Sequence, residues 1–426
     1  MIRKLFHSIM CRLEKVTAPS LTGRAGGESA VLISLIFAAC TSTIDDPQLS
    51  RPIAFTTYTS QPVTRADSAL LAVNTIPWGK SIGVYAYYHD NCTWETDATK
   101  AVNFMCNQQA TNNGLNQPFS YNPLKYWPNE ETDKLSFIAY YPYSTGSTAD
   151  VTNIGITPNW RLLPAGTFYD PDAGSKLPQF RFQVQENVKQ QVDFMVSDLL
   201  PSLPNGTSAV SPSSADSRDD LTVTDRVHFI FRHALSKIEF RVIVDDDVRK
   251  DLAYFTLKGI SLTNIYDEAR LTMTYTSPVA PATEGTTALT WSDYDKNKKT
   301  DYSCKTTEAY LLLPQTLNEE TDPKIARSAP TLTVTYDLAF KSEGTTYTYD
   351  ASGNAVPTEE YVYTNRSTSV QLNTLKISGS STVIDEWLPN HKYVYNLVIK
   401  PHRIEFTGQV VDDWGQEVPL SATMEE

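Results

Sequence analysis

This chain has few cysteines, no excess of positive charge and almost no helical periodicity, and each shortage excludes something. No long segment repeats its apolar residues every 3.6 positions, so helices are minor and bundle folds fall away. Lys and Arg number 36 against 49 Asp and Glu, a formal net charge of −13. No basic cluster is present to meet phosphates, so nucleic acid is not among the partners. Of five cysteines, Cys11 and Cys40 lie in the N-terminal region, leaving Cys92, Cys106 and Cys304. That odd remainder places stability on packing rather than on a disulfide framework, with Cys92 and Cys106 as a candidate pair across a loop.

Catalytic signatures are missing as well. The chain has no HExxH, GxSxG, P-loop or dinucleotide fingerprint. His228 and His233 are an odd five positions apart, which on a strand sends them to opposite faces and argues against a shared metal. In DYDKNKKTD, Asp293, Asp295, Asn297 and Asp301 imitate positions of a calcium loop. Lys298 stands where such a loop needs Gly, Cys304 where it needs a bidentate Glu, and the lysines would repel the ion, so a solvated turn is the reading. No catalytic, cofactor-binding or metal-binding residue is assigned, and the chain reads as non-enzymatic.

What the chain does have is a period of two. In TLTVTYDLAF, Leu332, Val334, Tyr336, Leu338 and Phe340 share one face, while Thr331, Thr333, Thr335 and Asp337 share the other. Similar runs occupy 52–59, 82–88, 134–143, 191–198, 237–244, 310–314, 392–400 and 403–411, rich in the Thr, Tyr, Val and Phe that suit a pleated surface. Around VHFIFRHALSKIEFRVIV the apolar phase changes: Phe229 and Phe231 are odd, whereas Ile238, Phe240, Val242 and Val244 are even. A bulge or a crossing into a second sheet is expected near His233. The Ser/Pro/Asp-rich stretch 201–220 reads as a linker or long loop, so the expected domains are 51–220 and 221–426. The tyrosines of YAYYHD and AYYPY are candidates for stacking on sugars or, alternatively, for packing on their neighbours.

One apolar run stands apart. Residues 30–46 read AVLISLIFAACTSTIDD, and about ten apolar residues at 1.5 Å each cannot cross a hydrocarbon core of roughly 30 Å. The length fits the core of a signal peptide, preceded by Arg3, Lys4, Arg12, Lys15 and Arg24 and ending in small Ala38-Ala39. The Ala-Ala-Cys ending resembles the lipobox of bacterial lipoproteins, which implies a signal peptide over 1–39, acylation of Cys40 and a tether over 40–50. A plain secretory signal with a cysteine nearby is the other reading. Several acyl chains, palmitate among them, would anchor the chain durably in the outer membrane where one chain would not.

A set of fragments resembles the fimbrillins that build type V pili. They are VTRAD (63–67), GVYAYY (83–88), LKYWPNEETDKLSFIAYYPY (124–143), DFMVSD (193–198), FRHALSKIEFRV (231–242), LLLPQT (311–316), WLPNHKYVYNLVI (387–399) and VVDDW (410–414). The resemblance implies an all-β fold of two transthyretin-like antiparallel β-sandwich domains in tandem. It also implies surface export as a lipoprotein, other fimbrial subunits as partners, and assembly by donor-strand exchange after an arginine-specific protease cuts near the start of the first domain. Onto this sequence the cut falls between Arg65 and Ala66. The tail 415–426 alternates Val418, Leu420, Ala422 and Met424 against Pro419, Ser421, Thr423 and Glu425, which suits either a donor strand or a last strand of the same chain. The expected function is a structural, adhesive fimbrial subunit of unidentified surface ligand. A non-polymerising tip, anchor or solitary adhesin is the alternative within the fold, and a glycan-binding surface lipoprotein the alternative outside it.

Overall fold

The structure is a computed structural model, and it describes residues 52–59, 76–98, 100, 102–114, 117–145, 156–157, 177–204, 226–245, 252–278, 285–297, 299–341, 347–357, 359–400 and 403–411. Cys40, Arg65, Ala66 and the tail with Val418, Leu420, Ala422 and Met424 lie outside those residues. The first strands are β1 (Ala54–Thr59), β2 (Ser81–His89), β3 (Met105–Thr111), β4 (Lys134–Tyr141), β5 (Ile156–Thr157), β6 (Phe180–Gln183), β7 (Met195–Ser197), β8 (Leu200–Pro204) and β9 (Arg226–His233). After the crossing come β10 (Ser236–Val244), β11 (Leu252–Tyr266), β12 (Glu268–Thr276), β13 (Thr286–Ser292), β14 (Lys299–Cys304), β15 (Tyr310–Leu312) and β16 (Gln315–Thr316). The remainder are β17 (Thr331–Lys341), β18 (Tyr347–Tyr349), β19 (Ala355–Pro357), β20 (Glu359–Gln371), β21 (Glu386–Trp387), β22 (Lys392–Lys400) and β23 (Arg403–Val411). Among the described residues helix is confined to single 3-10 turns such as Val188–Gln190 and Leu372–Thr374. The chain is all-β.

The largest sheet runs β1-β9-β7-β4-β2-β3, with β8 also paired to β4. Its central strands are buried on both faces. In β4, Leu135, Phe137 and Ala139 join one apolar cluster with Phe55, Trp127, Val227, Phe229 and Phe231, while Ile138 and Tyr140 join the other with Phe180, Phe182 and Leu271. Two-sided burial replaces the simple alternation that a half-solvated sheet would show. The tight side is visible at Gly83, where an added Cβ would lie 2.1 Å from the Tyr140 ring. That ring occupies the space a side chain would fill, held by its hydroxyl to Asn107 Oδ1 at 2.8 Å.

A four-stranded sheet, β13-β12-β6-β5, adds its residues to the second cluster. Two further four-stranded sheets, β15-β10-β22-β23 and β14-β11-β17-β20, form the second sandwich. Their inward residues, Phe240, Tyr395 and Leu397 on one sheet and Ile260, Leu332 and Val334 on the other, are all nearly inaccessible. The alternation expected in β17 holds: Leu332, Val334, Tyr336, Leu338 and Phe340 are buried and Thr331, Thr333, Thr335 and Asp337 are not.

The phase change at His233 is a crossing between sheets. β9 ends there in the largest sheet, Ala234 and Leu235 turn the chain, and β10 starts the second sandwich. Phe229 and Phe231 therefore enter one cluster and Ile238 and Phe240 the other. Val242, expected on the buried face, is 37% exposed near the strand end.

Several expectations need correction. Residues 201–204, read as linker, belong to β8, because Leu203 packs into the first cluster and Leu135 pairs with it. The run 191–198 forms a strand only over Met195–Ser197. Among the described residues Cys92, Cys106 and Cys304 form no disulfide, so the Cys92–Cys106 pair is not made.

Two sheet pairings cross residue 220. β9 completes the largest sheet beside β1 and β7, and β6 pairs antiparallel with β12, Phe180 opposite Leu271. Asp267 links β11 of the second sandwich to β12; its carbonyl accepts from Val184 N–H at 2.7 Å and its carboxylate accepts from the Thr300 hydroxyl at 2.5 Å.

Candidate functional site

β1 is the element on which the strand-exchange expectation turns. It lies at the edge of the largest sheet and pairs in parallel with β9, from Ala54 opposite Arg226 to Thr59 opposite Phe231. Ile53, Phe55 and Thr57 alternate into the core at 2%, 0% and 6% exposure, as a strand with one buried face must. Phe55 is the deepest anchor, with ring centroids 5.2 Å from Tyr121 and 6.0 Å from Phe137.

The outer side of β1 is fastened by a loop rather than by another strand. Phe119 N–H donates to Phe55 O at 3.2 Å, Ile53 N–H donates to Lys125 O at 2.9 Å, and the Tyr121 hydroxyl donates to Ile53 O at 2.7 Å. On the inner side Thr56 Oγ1 and His228 Nδ1 are 2.5 Å apart. Burial lowers the His228 pKa, and the charge of Arg226 adds to that effect, so the ring is held neutral. The groove under β1 is thus apolar, with few polar fasteners at its rim.

The other candidate residues separate. His228 reaches Thr56, whereas His233 Nδ1 lies 2.8 Å from Asp193 Oδ1. In the calcium-like patch, Asp293 pairs with Arg270, Asp295 lies 3.9 Å from Arg181, and Asp301 accepts from Asn264 N–H, so the carboxylates serve different partners. The sugar-platform reading fails for its main residues: Tyr85, Tyr87 and Tyr140 are core side chains at 1% exposure or less.

Sequence reading missed one cluster. His89 at the end of β2, Cys92 and Asp97 bring a ring nitrogen, a sulfur and a carboxylate oxygen within 4.8 Å of one another. His89 is fully buried, and burial lowers its pKa against the opposing pull of Asp97. The signal available in HDNCTWETD was three ligand-type residues at gaps of two and four, immediately after a strand.

Comparison with known proteins completes the site. A family profile described as Fimbrillin-like matches residues 64–414. The chain is similar to a fimbrial protein from Bacteroides vulgatus ATCC 8482 at 20% identity, over 85% of this chain and 98% of that one, with a TM-score of 0.48. It is similar to a fimbrilin from Porphyromonas gingivalis W83 at 10% identity, over 85% and 97% of the two chains, with a TM-score of 0.39. Similarity to the tip fimbrial protein of Porphyromonas gingivalis, solved with a C-terminal truncation, is 11% identity over 79% and 95%, with a TM-score of 0.36. Among curated protein sequences none matches. Because the profile spans most of its length, the chain belongs to the fimbrillin-like family, a family of non-enzymatic fimbrial and cell-adhesion proteins of the cell surface.

Proposed function

We propose that this chain is a subunit of a surface fimbria, exported as a lipoprotein acylated at Cys40, cut between Arg65 and Ala66, and assembled by donor-strand exchange. The observation that carries the reading is the seating of β1: an edge strand, parallel to β9, filling an apolar groove with Ile53 and Phe55 and ending six residues before Arg65. Cutting there would detach a segment containing that strand. The groove would expose Val227, Phe229 and Phe137, and β9 would regain an unpaired edge. An incoming strand with alternating apolar residues restores both, its backbone pairing supplying affinity and its side chains register. The pattern Val418, Leu420, Ala422 and Met424 has that alternation. The partners are then other fimbrial subunits, an arginine-specific protease and the outer membrane.

A second reading, a non-polymerising tip, anchor or solitary adhesin, draws on the hydrogen bonds from Phe119 and Tyr121 to β1, and from Ile53 to the Lys125 carbonyl, that fasten the outer side of β1. Limited digestion with an arginine-specific protease separates the two, applied to the purified chain from residue 41 and followed by intact mass and size-exclusion. Exchange predicts one cut after Arg65, release of β1 and SDS-resistant oligomers. A resistant Arg65, or a stable monomer after the cut, supports the tip or solitary reading instead.

A further inference from the structure

We propose that His89, Cys92 and Asp97 form a binding site for a divalent zinc-type ion, held by the His89 Nδ1, the Cys92 sulfur and an Asp97 carboxylate oxygen. The three ligand atoms already converge within 4.8 Å, and His89 Nδ1 lies 2.9 Å from Asp97 Oδ2. Two ligand atoms about 2.0 Å from a tetrahedral ion stand about 3.3 Å apart and a sulfur about 3.5 Å from either, so the His89–Asp97 pair needs to open by a few tenths of an ångström and the Cys92 sulfur to close by about an ångström at most.

The far side of the imidazole is built for the role. His89 Nε2 lies 2.8 Å from Ser136 Oγ, and that oxygen also accepts the Ser202 N–H at 2.8 Å. With an ion bound, a proton on Nε2 donates to the serine and the Nδ1 lone pair faces Cys92 and Asp97. An outer hydrogen bond of this kind orients a ligating histidine. Without the ion the serine hydroxyl can donate to Nε2 while Nδ1–H donates to Asp97, and binding releases that proton.

The chain between the ligands folds to return them to one point. Asn91 adopts a left-handed φ of 49°, which turns Cys92 back toward the strand end. Asp97 N–H then donates to Thr93 O at 2.8 Å, and Thr93 N–H to Thr96 Oγ1 at 2.9 Å. One imidazole, one thiolate and one carboxylate suit zinc, whereas calcium and magnesium favour oxygen-only shells. Three protein ligands leave a fourth position for water.

The ion would brace a joint. Trp94, between the ligands in sequence, is 5% exposed, with its ring centroid 6.0 Å from His89, 5.0 Å from Tyr87 and 6.4 Å from Tyr275 of β12. Fixing the loop fixes the tryptophan that packs between β2 of the largest sheet and β12 of the sheet β13-β12-β6-β5.

The test is titration of the chelator-treated chain with Co2+ and then Zn2+, read by absorbance, Trp fluorescence and thermal unfolding. The expected result is one Co2+ per chain with a thiolate-to-cobalt charge-transfer band, displaced by Zn2+, and a raised Tm. Cys92→Ser should abolish the band, Asp97→Asn should weaken binding at least about tenfold, and Cys106→Ser should leave both unchanged. Circular dichroism confirms that the Cys92→Ser chain is folded, which its partly exposed turn position favours. No uptake at millimolar free ion, or a band that survives Cys92→Ser, overturns the proposal.

Discussion

Phe55 of β1 and Phe229 of β9 face each other with ring centroids 5.6 Å apart, although most of the first sandwich separates them in sequence. This contact closes the sheet at the edge where the proposed exchange occurs.

Replacing Phe55 by Ala therefore weakens the fold at a defined place. The ring is fully buried among Tyr121, Phe137 and Phe229, and Phe→Ala substitutions at such sites cost about 3–5 kcal/mol. Urea unfolding of Phe55→Ala should show a loss in that range, and hydrogen exchange should rise first along Ala54–Thr59. An unchanged midpoint would mean that β1 contributes little to the seated state.

The same strand carries a pH dependence. His228 is held neutral with a pKa below its ordinary 6.5, while the unfolded chain titrates near that value. Between the two values the unfolded state binds more protons, so stability falls as pH falls through and below about 6.5, and is fully present above it. Thermal unfolding of the wild type should drop more between pH 7.5 and 5.5 than that of His228→Gln. Equal drops would assign the acid sensitivity to another group.

Arg327 predicts a lesion far from β1. Only 3% exposed, its guanidinium stacks 4.5 Å from the Tyr266 ring centroid and donates to Asn264 O at 3.0 Å, Thr316 O at 2.7 Å and Asn318 O at 3.1 Å. Arg327→Met keeps apolar bulk but leaves these carbonyls without a donor, at roughly 3 kcal/mol in all. Arg327→Lys should recover only part, since an ammonium lacks the planar fork. Differential scanning calorimetry of both variants checks the order, and a Met variant as stable as wild type would refute it.

Much of this was legible in the linear pattern. The period-two runs placed β2, β4, β10, β17, β22 and β23, because alternation on a pleated strand is local and needs no partner to be visible. The odd-to-even change across His233 likewise marked a crossing, since one strand cannot turn both sets of residues to one face. What local pattern could not carry was pairing. β11, β12, β13, β14 and β20 were not read as strands, although Ala269, Leu271 and Met273 of β12 do alternate into the core, and Leu203 was hidden in a stretch whose composition reads as linker.

By itself, then, the sequence determined the fold class, the family and the positions of several long strands, through side-chain periodicity and fragment order. The tertiary structure decided the rest. It set β1 parallel against β9, buried Tyr85, Tyr87 and Tyr140 that sequence left open to sugars, joined β6 to β12 across residue 220, and brought His89, Cys92 and Asp97 together. The physical reason is common to the first three. Each depends on which backbone edges and apolar faces meet across long separations, and that choice is made by closure of the cores, not by any residue's near neighbours. The fourth is closed locally, by the left-handed turn at Asn91 and the Asp97–Thr93 hydrogen bond.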